Sequence, residues 1–326
     1  MKGSMAVFVV VLYGQSFGTS SFAPPKSIDA RLQGDLREVE EMDRDLARGQ
    51  SLAQEGKYSQ ALNLLERSKA RDPDNPIVWY WIGYCHENLG QKEAALSAYN
   101  QALHKNPKLV QAWWGKGSVL FTEKQYEEAY KAFEELMRQM PQHPLGYFYA
   151  GASLWMQKRQ VEAIPLWEKA ISLGFADSLK VLVWIGDAYW EADSFALAEK
   201  AYARAARSAN PPAEALLGLG KARLAQNDPE GALPLLTQAE TRLPEDPLPP
   251  YYKGLAYKRL GKLSEAQAAF QEALRRKPDH ARSLYEMGLL SLAQNNIDEA
   301  QKYYEKLKTL STRLAQQLLQ EILNKR

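Results

Sequence analysis

The side chains through which this chain could act on a substrate or hold a metal are four histidines, one cysteine and several paired carboxylates. His86, His104, His143 and His280 are scattered, with no common spacing between them. His86 precedes Glu87, but no second histidine follows at the spacing that places two ligands on one helix face. Cys85 is the only cysteine, so neither an intrachain disulfide nor a cysteine-rich zinc site can form. It lies in an apolar stretch and reads as a buried structural thiol. Glu127–Glu128 and Glu134–Glu135 read as solvated helix faces. Phosphate-loop, dinucleotide-binding, zinc-protease and nucleophile-elbow motifs are all missing from the sequence. The expectation is therefore no catalytic residue, no metal site, no cofactor and no enzyme: a protein that binds.

The elements that present the remaining side chains must be ordinary globular ones. Of 326 residues, 45% are hydrophobic and 25% charged, which argues against disorder. Lys and Arg number 41 against 39 Asp and Glu, a net charge of +2 without the basic footprint nucleic acid needs. Rings are plentiful, with 17 Tyr, 8 Trp and 9 Phe. At the start, Lys2, the apolar run Met5–Leu12 and small residues up to Ala23 have the layout of a secretory signal peptide over residues 1–23. That predicts an exported protein, periplasmic or extracytoplasmic, with cleavage near residue 16 or 23; otherwise the protein is cytoplasmic. The apolar run is too short to span a bilayer, and no integral membrane span is expected later. Residues 24–41 read as a linker and a backward extension of the first helix, with Ile28, Leu32, Leu36 and Val39 at helical spacing.

Domain organisation follows from an internal period. Glycines stand at 49, 83, 117, 151, 186, 220, 254 and 288, spaced by 34 residues with one step of 35. Twelve residues after each is an alanine, from Ala61 to Ala300, and four further on a bulky residue: Leu65, Tyr99, Phe133, Trp167, Tyr202, Leu236, Phe270 and Tyr304. Most units close with proline, at Pro73, Pro107, Pro141, Pro244 and Pro278. A helix-interior glycine costs about 1 kcal/mol relative to alanine. Close packing must compensate, and the expected partner of each glycine is the alanine of the next helix. Between helices, Gly56, Gly90, Asp193, Asn227, Gly261 and Asn295 tolerate the left-handed conformation that ends a helix. Each unit is a helical hairpin that needs its neighbours to complete its core.

This pattern resembles the tetratricopeptide repeat. The second unit carries Trp79, Ile82, Gly83, Ala95, Tyr99 and Pro107 at the motif's offsets, and the third Trp113, Gly117, Leu120, Ala129, Phe133 and Pro141. His86 stands where the motif prefers tyrosine. Eight repeats fit residues 42–314: 42–75, 76–109, 110–143, 144–177, 179–212, 213–246, 247–280 and 281–314. Residues 315–326 continue a C-terminal capping helix with the apolar stripe Leu314, Leu318 and Ile322. The resemblance implies an all-α fold, a right-handed α-solenoid of antiparallel helix pairs. It also implies that the second, fifth, ninth, twelfth and thirteenth residues of each repeat face a concave groove. Those places hold Tyr80, Tyr84, Trp114, Phe121, Phe148, Trp155, Trp190, Lys221, Tyr251, Lys258, Arg259, Arg282 and Tyr285. The fourth-position Trp79 and Trp113 are expected in the core.

The functional expectation is a protein–protein interaction scaffold holding a polypeptide segment in an aromatic-lined groove, its later repeats adding cations. Neither the charged clamp nor the asparagine ladder of other members is matched here. A carbohydrate-binding accessory protein, its rings stacking on polysaccharide, is the alternative; a self-associating structural scaffold is another. The 35-residue step between Gly151 and Gly186, with Ser178 as the extra residue and no closing proline near 175, predicts a seam at 174–178.

Overall fold

A computed structural model describes residues 44–325. The expected signal peptide and linker, residues 1–41, lie outside the described residues. Within them the chain forms 17 α-helices and no strand. These fall into two compact units that divide between Ala176 and Asp177, at the place where the repeat spacing lengthens.

The first unit holds four hairpins: α1 (Arg44–Gln54) with α2 (Tyr58–Arg71), α3 (Pro76–Asn88) with α4 (Lys92–Lys105), α5 (Val110–Thr122) with α6 (Tyr126–Gln139), and α7 (Pro144–Met156) with α8 (Gln160–Ser172). The second unit holds four more: α9 (Ser178–Glu191) with α10 (Phe195–Ala206), α11 (Ala213–Ala225) with α12 (Pro229–Arg242), α13 (Leu248–Arg259) with α14 (Leu263–Arg276), and α15 (Ala281–Ala293) with α16 (Ile297–Leu310). Helix α17 (Thr312–Lys325) follows. Within each unit, every helix packs on the next in sequence, which is the stacking of a helical solenoid.

The links behave as their residue types dictate. Gly56, Gly90, Asp193, Asn227, Gly261 and Asn295 all adopt positive φ, between 52° and 77°. Lys124 and Lys158 do the same at φ 62° and 64°, in the two repeats where the sequence offers no glycine or asparagine. The extra residue Ser178 is not looped out; it becomes the first residue of α9.

The glycine column has a different partner from the one its spacing suggested. The repeat alanines are fully buried, but each glycine faces the bulky residue sixteen places on. A Cβ on Gly83 would lie 2.7 Å from the Tyr99 ring, and one on Gly117 2.7 Å from the Phe133 ring. The small residue makes room for a bulky side chain, a ring or a leucine, and at Gly49 and Gly220 the repeat alanine's carbonyl also lies within contact, at 3.5 Å. In the last hairpin Leu318 of α17 takes that place against Gly288, and Tyr304 is only half-buried. Buried Ala315, Leu318 and Ile322 form the stripe by which α17 covers the hairpin before it. Trp79 and Trp113 are also placed differently from expectation: half-buried at the core's edge, they donate their indole N–H groups to the carbonyls of Pro73 and Pro107 at 2.8 Å. Tyr147 donates likewise to Pro141 at 3.2 Å. The fourth residue of these repeats clips the preceding turn.

Candidate functional site

Cys85 and three of the four histidines have structural surroundings, and His104 is exposed. The Cys85 thiol is buried, which pushes its pKa up to about 12. His86 hydrogen bonds Gln91 at 2.6 Å, His143 accepts from the Leu145 N–H at the start of α7, and His280 meets Ser283 at 2.7 Å. Among the described residues, no three His, Cys, Asp or Glu side chains gather as a metal site requires. No helix among them is long and apolar enough to cross a membrane.

In the first unit the expected groove rings are assembled, but mostly into one another. Fifth-position rings lie on rings of their own repeat's second helix: Tyr80 is 6.1 Å from Tyr99 and Trp114 is 5.9 Å from Phe133. Phe148 stacks on Phe175 at 4.2 Å. Tyr84 meets Tyr58, and Phe121 meets Tyr126. None of Tyr80, Tyr84, Trp114, Phe121 and Phe148 is more than 9% exposed. Trp155, 5.3 Å from Trp167, keeps part of its surface open. Two rings not assigned to the groove by the sequence join them: Trp81 is edge-on to Tyr80 and Tyr84, and Tyr149 is edge-on to Trp114 and Phe121. They occupy the sixth place of their repeats, and their ring character was the signal available.

Among these rings sits one carboxylate. Glu87, near the end of α3, accepts from the Tyr99 hydroxyl on α4 at 2.5 Å and from the Ser118 hydroxyl on α5 at 3.1 Å. Burial pushes its pKa up to about 7, although both hydrogen bonds act in the opposite direction. The same burial, with Glu87 adjacent, raises the Tyr99 phenol well above its ordinary value.

The second unit uses its cations internally. Lys221 is 3% exposed, with its ammonium 4.4 Å from the centre of the Trp190 ring and 5.6 Å from that of Tyr252. Burial lowers its pKa and Asp187 partly restores it. Asp187 in turn accepts from the Tyr202 hydroxyl at 2.6 Å. Lys258 pairs with Glu286 at 2.6 Å, and Arg259 donates to the Leu224 carbonyl. Tyr251 packs on Phe270 and His280. Arg282 is exposed and lies beside Tyr252, and Tyr285 is half-buried. All four cations expected to meet a ligand thus have partners within the chain, Arg282 through a hydrogen bond with Tyr252. The sequence shows each charge but not the acceptor opposite it.

The sequence profile of the tetratricopeptide repeat matches residues 46–109, 86–144, 185–247 and 251–314, more than half of the chain. The Photosystem I assembly protein Ycf3 of Acaryochloris marina (strain MBIC 11017) is 41% identical over 66 residues, which make up 20% of this chain and 37% of that protein. The match thus spans little more than a third of that relative. Among solved structures, the APC/C hetero-tetramer Cut9–Hcn1 superposes with a TM-score of 0.51 at 17% identity, over 82% of this chain and 52% of that one. Pseudomonas aeruginosa PilF gives 0.47 at 19% identity, over 67% of this chain and 95% of its own. At such identities the likeness is one of fold. With its repeated glycines, alanines and ring wedges, and with the profile matched along most of its length, the chain belongs to the tetratricopeptide repeat family of protein–protein interaction scaffolds.

Proposed function

We propose that this chain is a non-enzymatic scaffold that holds a polypeptide segment against the aromatic first helices of its first unit. The observation that carries this reading is the composition of α3, α5 and α7. Apolar residues and rings occupy most sides of these helices; the polar residues of α3 are confined to its last turn, and those of α5 are Gln111, Lys116, Ser118 and Thr122. Stacking uses the sides turned to the partner helix and to neighbouring hairpins. These helices carry more apolar surface than one stacking face needs, and Trp155 is left part-open. The ring geometry favours a peptide over polysaccharide. A sugar needs an open, flat ring face, whereas Tyr80, Trp81, Tyr84, Trp114 and Tyr149 pack edge against face. Such a surface suits interdigitating side chains, with Trp155 as its part-open anchor.

Selection of displayed peptides on the full chain tests this. Binders should emerge, and Trp155→Ala should weaken them roughly ten-fold or more while the melting curve is kept. Failure to select any peptide, or unchanged binding by the folded variant, sinks the reading. Export is part of the proposal and is checked separately. N-terminal sequencing of native material should begin near residue 17 or 24, and an intact Met1 from cytosol would exclude it.

A further inference from the structure

We infer that Glu87 is a subsite for a cation on the bound segment, the guanidinium of an arginine or the ammonium of a lysine. This rests on the peptide-scaffold reading and adds the chemistry of one contact. The carboxylate is held only by neutral donors, Tyr99 and Ser118. Burial and those two hydrogen bonds account for its electrostatic state, with no contribution from any lysine, arginine or histidine. The nearest elements confirm this. Tyr84 on its own helix, Tyr99 on α4 and Ser118 on α5 are the groups facing it, while His86 is turned to Gln91 and Lys92 is paired with Glu123.

The second unit shows a related frame with a cation in place. Tyr202 holds the place in its repeat that Tyr99 holds in the second. It lies between Gly186 and Gly218 as Tyr99 lies between Gly83 and Gly115. Its hydroxyl also donates to a carboxylate, that of Asp187, which stands three residues earlier in its repeat than Glu87 does, with Trp190 in Glu87's own place. The ninth residue of the following repeat is Lys221, whose charge stabilises Asp187. In the first unit that residue is Ser118. Lys221 rests on Tyr252, the sixth residue of the next repeat, and the corresponding residue in the first unit is Tyr149. A wedge tyrosine bonded to a carboxylate is repeated, and the first unit has a serine where the second has the ammonium. A desolvated carboxylate among rings gains most from a cation brought by the partner, through a charge-assisted pair and cation–π contact together.

Pairing with a cation would also hold Glu87 ionised, so binding must release a proton whenever the free carboxyl carries one. The test uses the full chain and n-butylguanidinium chloride, with n-butylurea as the neutral isostere, by titration calorimetry at pH 6 and pH 8. Butylguanidinium should bind saturably and about ten-fold more tightly at pH 8, and butylurea should not bind. Glu87→Gln keeps an acceptor for Tyr99 and should abolish the binding. Ser118→Lys should abolish it too, by supplying the ammonium from within. If wild type binds butylguanidinium no better than butylurea at pH 8, or folded Glu87→Gln binds it as wild type does, the subsite is refuted. Displayed peptides separate the two claims. Selected binders without a basic residue, unaffected by Glu87→Gln, leave the peptide surface standing and remove the subsite. Butylguanidinium binding with no peptide selected does the reverse.

Discussion

Tyr99 shows how much one side chain does in this fold. Its ring fills the space left by Gly83 on one side and Gly115 on the other, and its hydroxyl is tied to Glu87. A Cβ at Gly115 would come within 2.3 Å of the ring, and the tyrosine cannot retreat without losing its acceptor. Gly115→Ala should therefore destabilise by about 2–3 kcal/mol, near the upper range for overpacking, as measured by urea unfolding. Glu87 makes a second prediction. Its carboxyl is raised to about 7, above the unfolded value near 4.5, so the folded state binds the extra proton between those pH values. Its contribution to stability is full below about 4.5 and is lost as pH rises through about 7. Glu87→Gln should consequently melt close to wild type at pH 4.5 and above it at pH 8; a difference that stays flat with pH would contradict the assignment. The glycine column was legible in the sequence, but its partner was not. Spacing shows that room is needed and cannot say whether a backbone or a ring fills it. Likewise the rings at fifth positions were visible, while their packing on Tyr99, Phe133 and Phe270 depends on rotamers that no spacing encodes.

At the level of the helical hairpin, the turn is where sequence and conformation agree best, and where they disagree most usefully. Glycine, asparagine and aspartate mark six of the left-handed residues because their small or locally bonding side chains tolerate that region. Lys124 and Lys158 adopt it without either advantage. The hairpin imposes the conformation there, since flanking α5–α6 and α7–α8 pair as closely as their neighbours do. A lysine held at positive φ costs about 1 kcal/mol relative to glycine, part of which glycine returns through its freer unfolded chain. Lys124→Gly and Lys158→Gly should each stabilise by about 0.5–1 kcal/mol. Chemical unfolding of the two single variants and the double variant measures this, and the pair should be additive because the sites lie in separate turns. Gly90→Ala, at φ 74° with open space around it, should show the opposite sign.

Across the whole molecule, the period of 34 foretold a stack of hairpins, and its one irregular step marked where that stack divides into two compact units. The physical basis is local. Repeats are stabilised by their neighbours alone, so each junction is as strong as its own contacts. Between α8 and α9 the chain runs through Gly174 at φ 83° and then Phe175, whose ring is anchored on Phe148. Beyond it Ala176 and Asp177 are exposed, and Asp177 precedes α9 without a side-chain cap on the helix N–H groups. Elsewhere in the first unit a proline and a clipping tryptophan or tyrosine close the turn, as at Pro73, Pro107 and Pro141. This turn has neither. Digestion of the folded chain with a low-specificity protease should therefore cut first within residues 174–178. The two products should each remain helical by circular dichroism, because each keeps its own set of stacked hairpins. Amide exchange read along the native chain should show the same segment opening fastest among the turns between repeats. Protection at 174–178 equal to that of the turns at 72–75 and 106–109 would mean that the lengthened step is an ordinary insertion, absorbed by Ser178 at the start of α9 without local weakness.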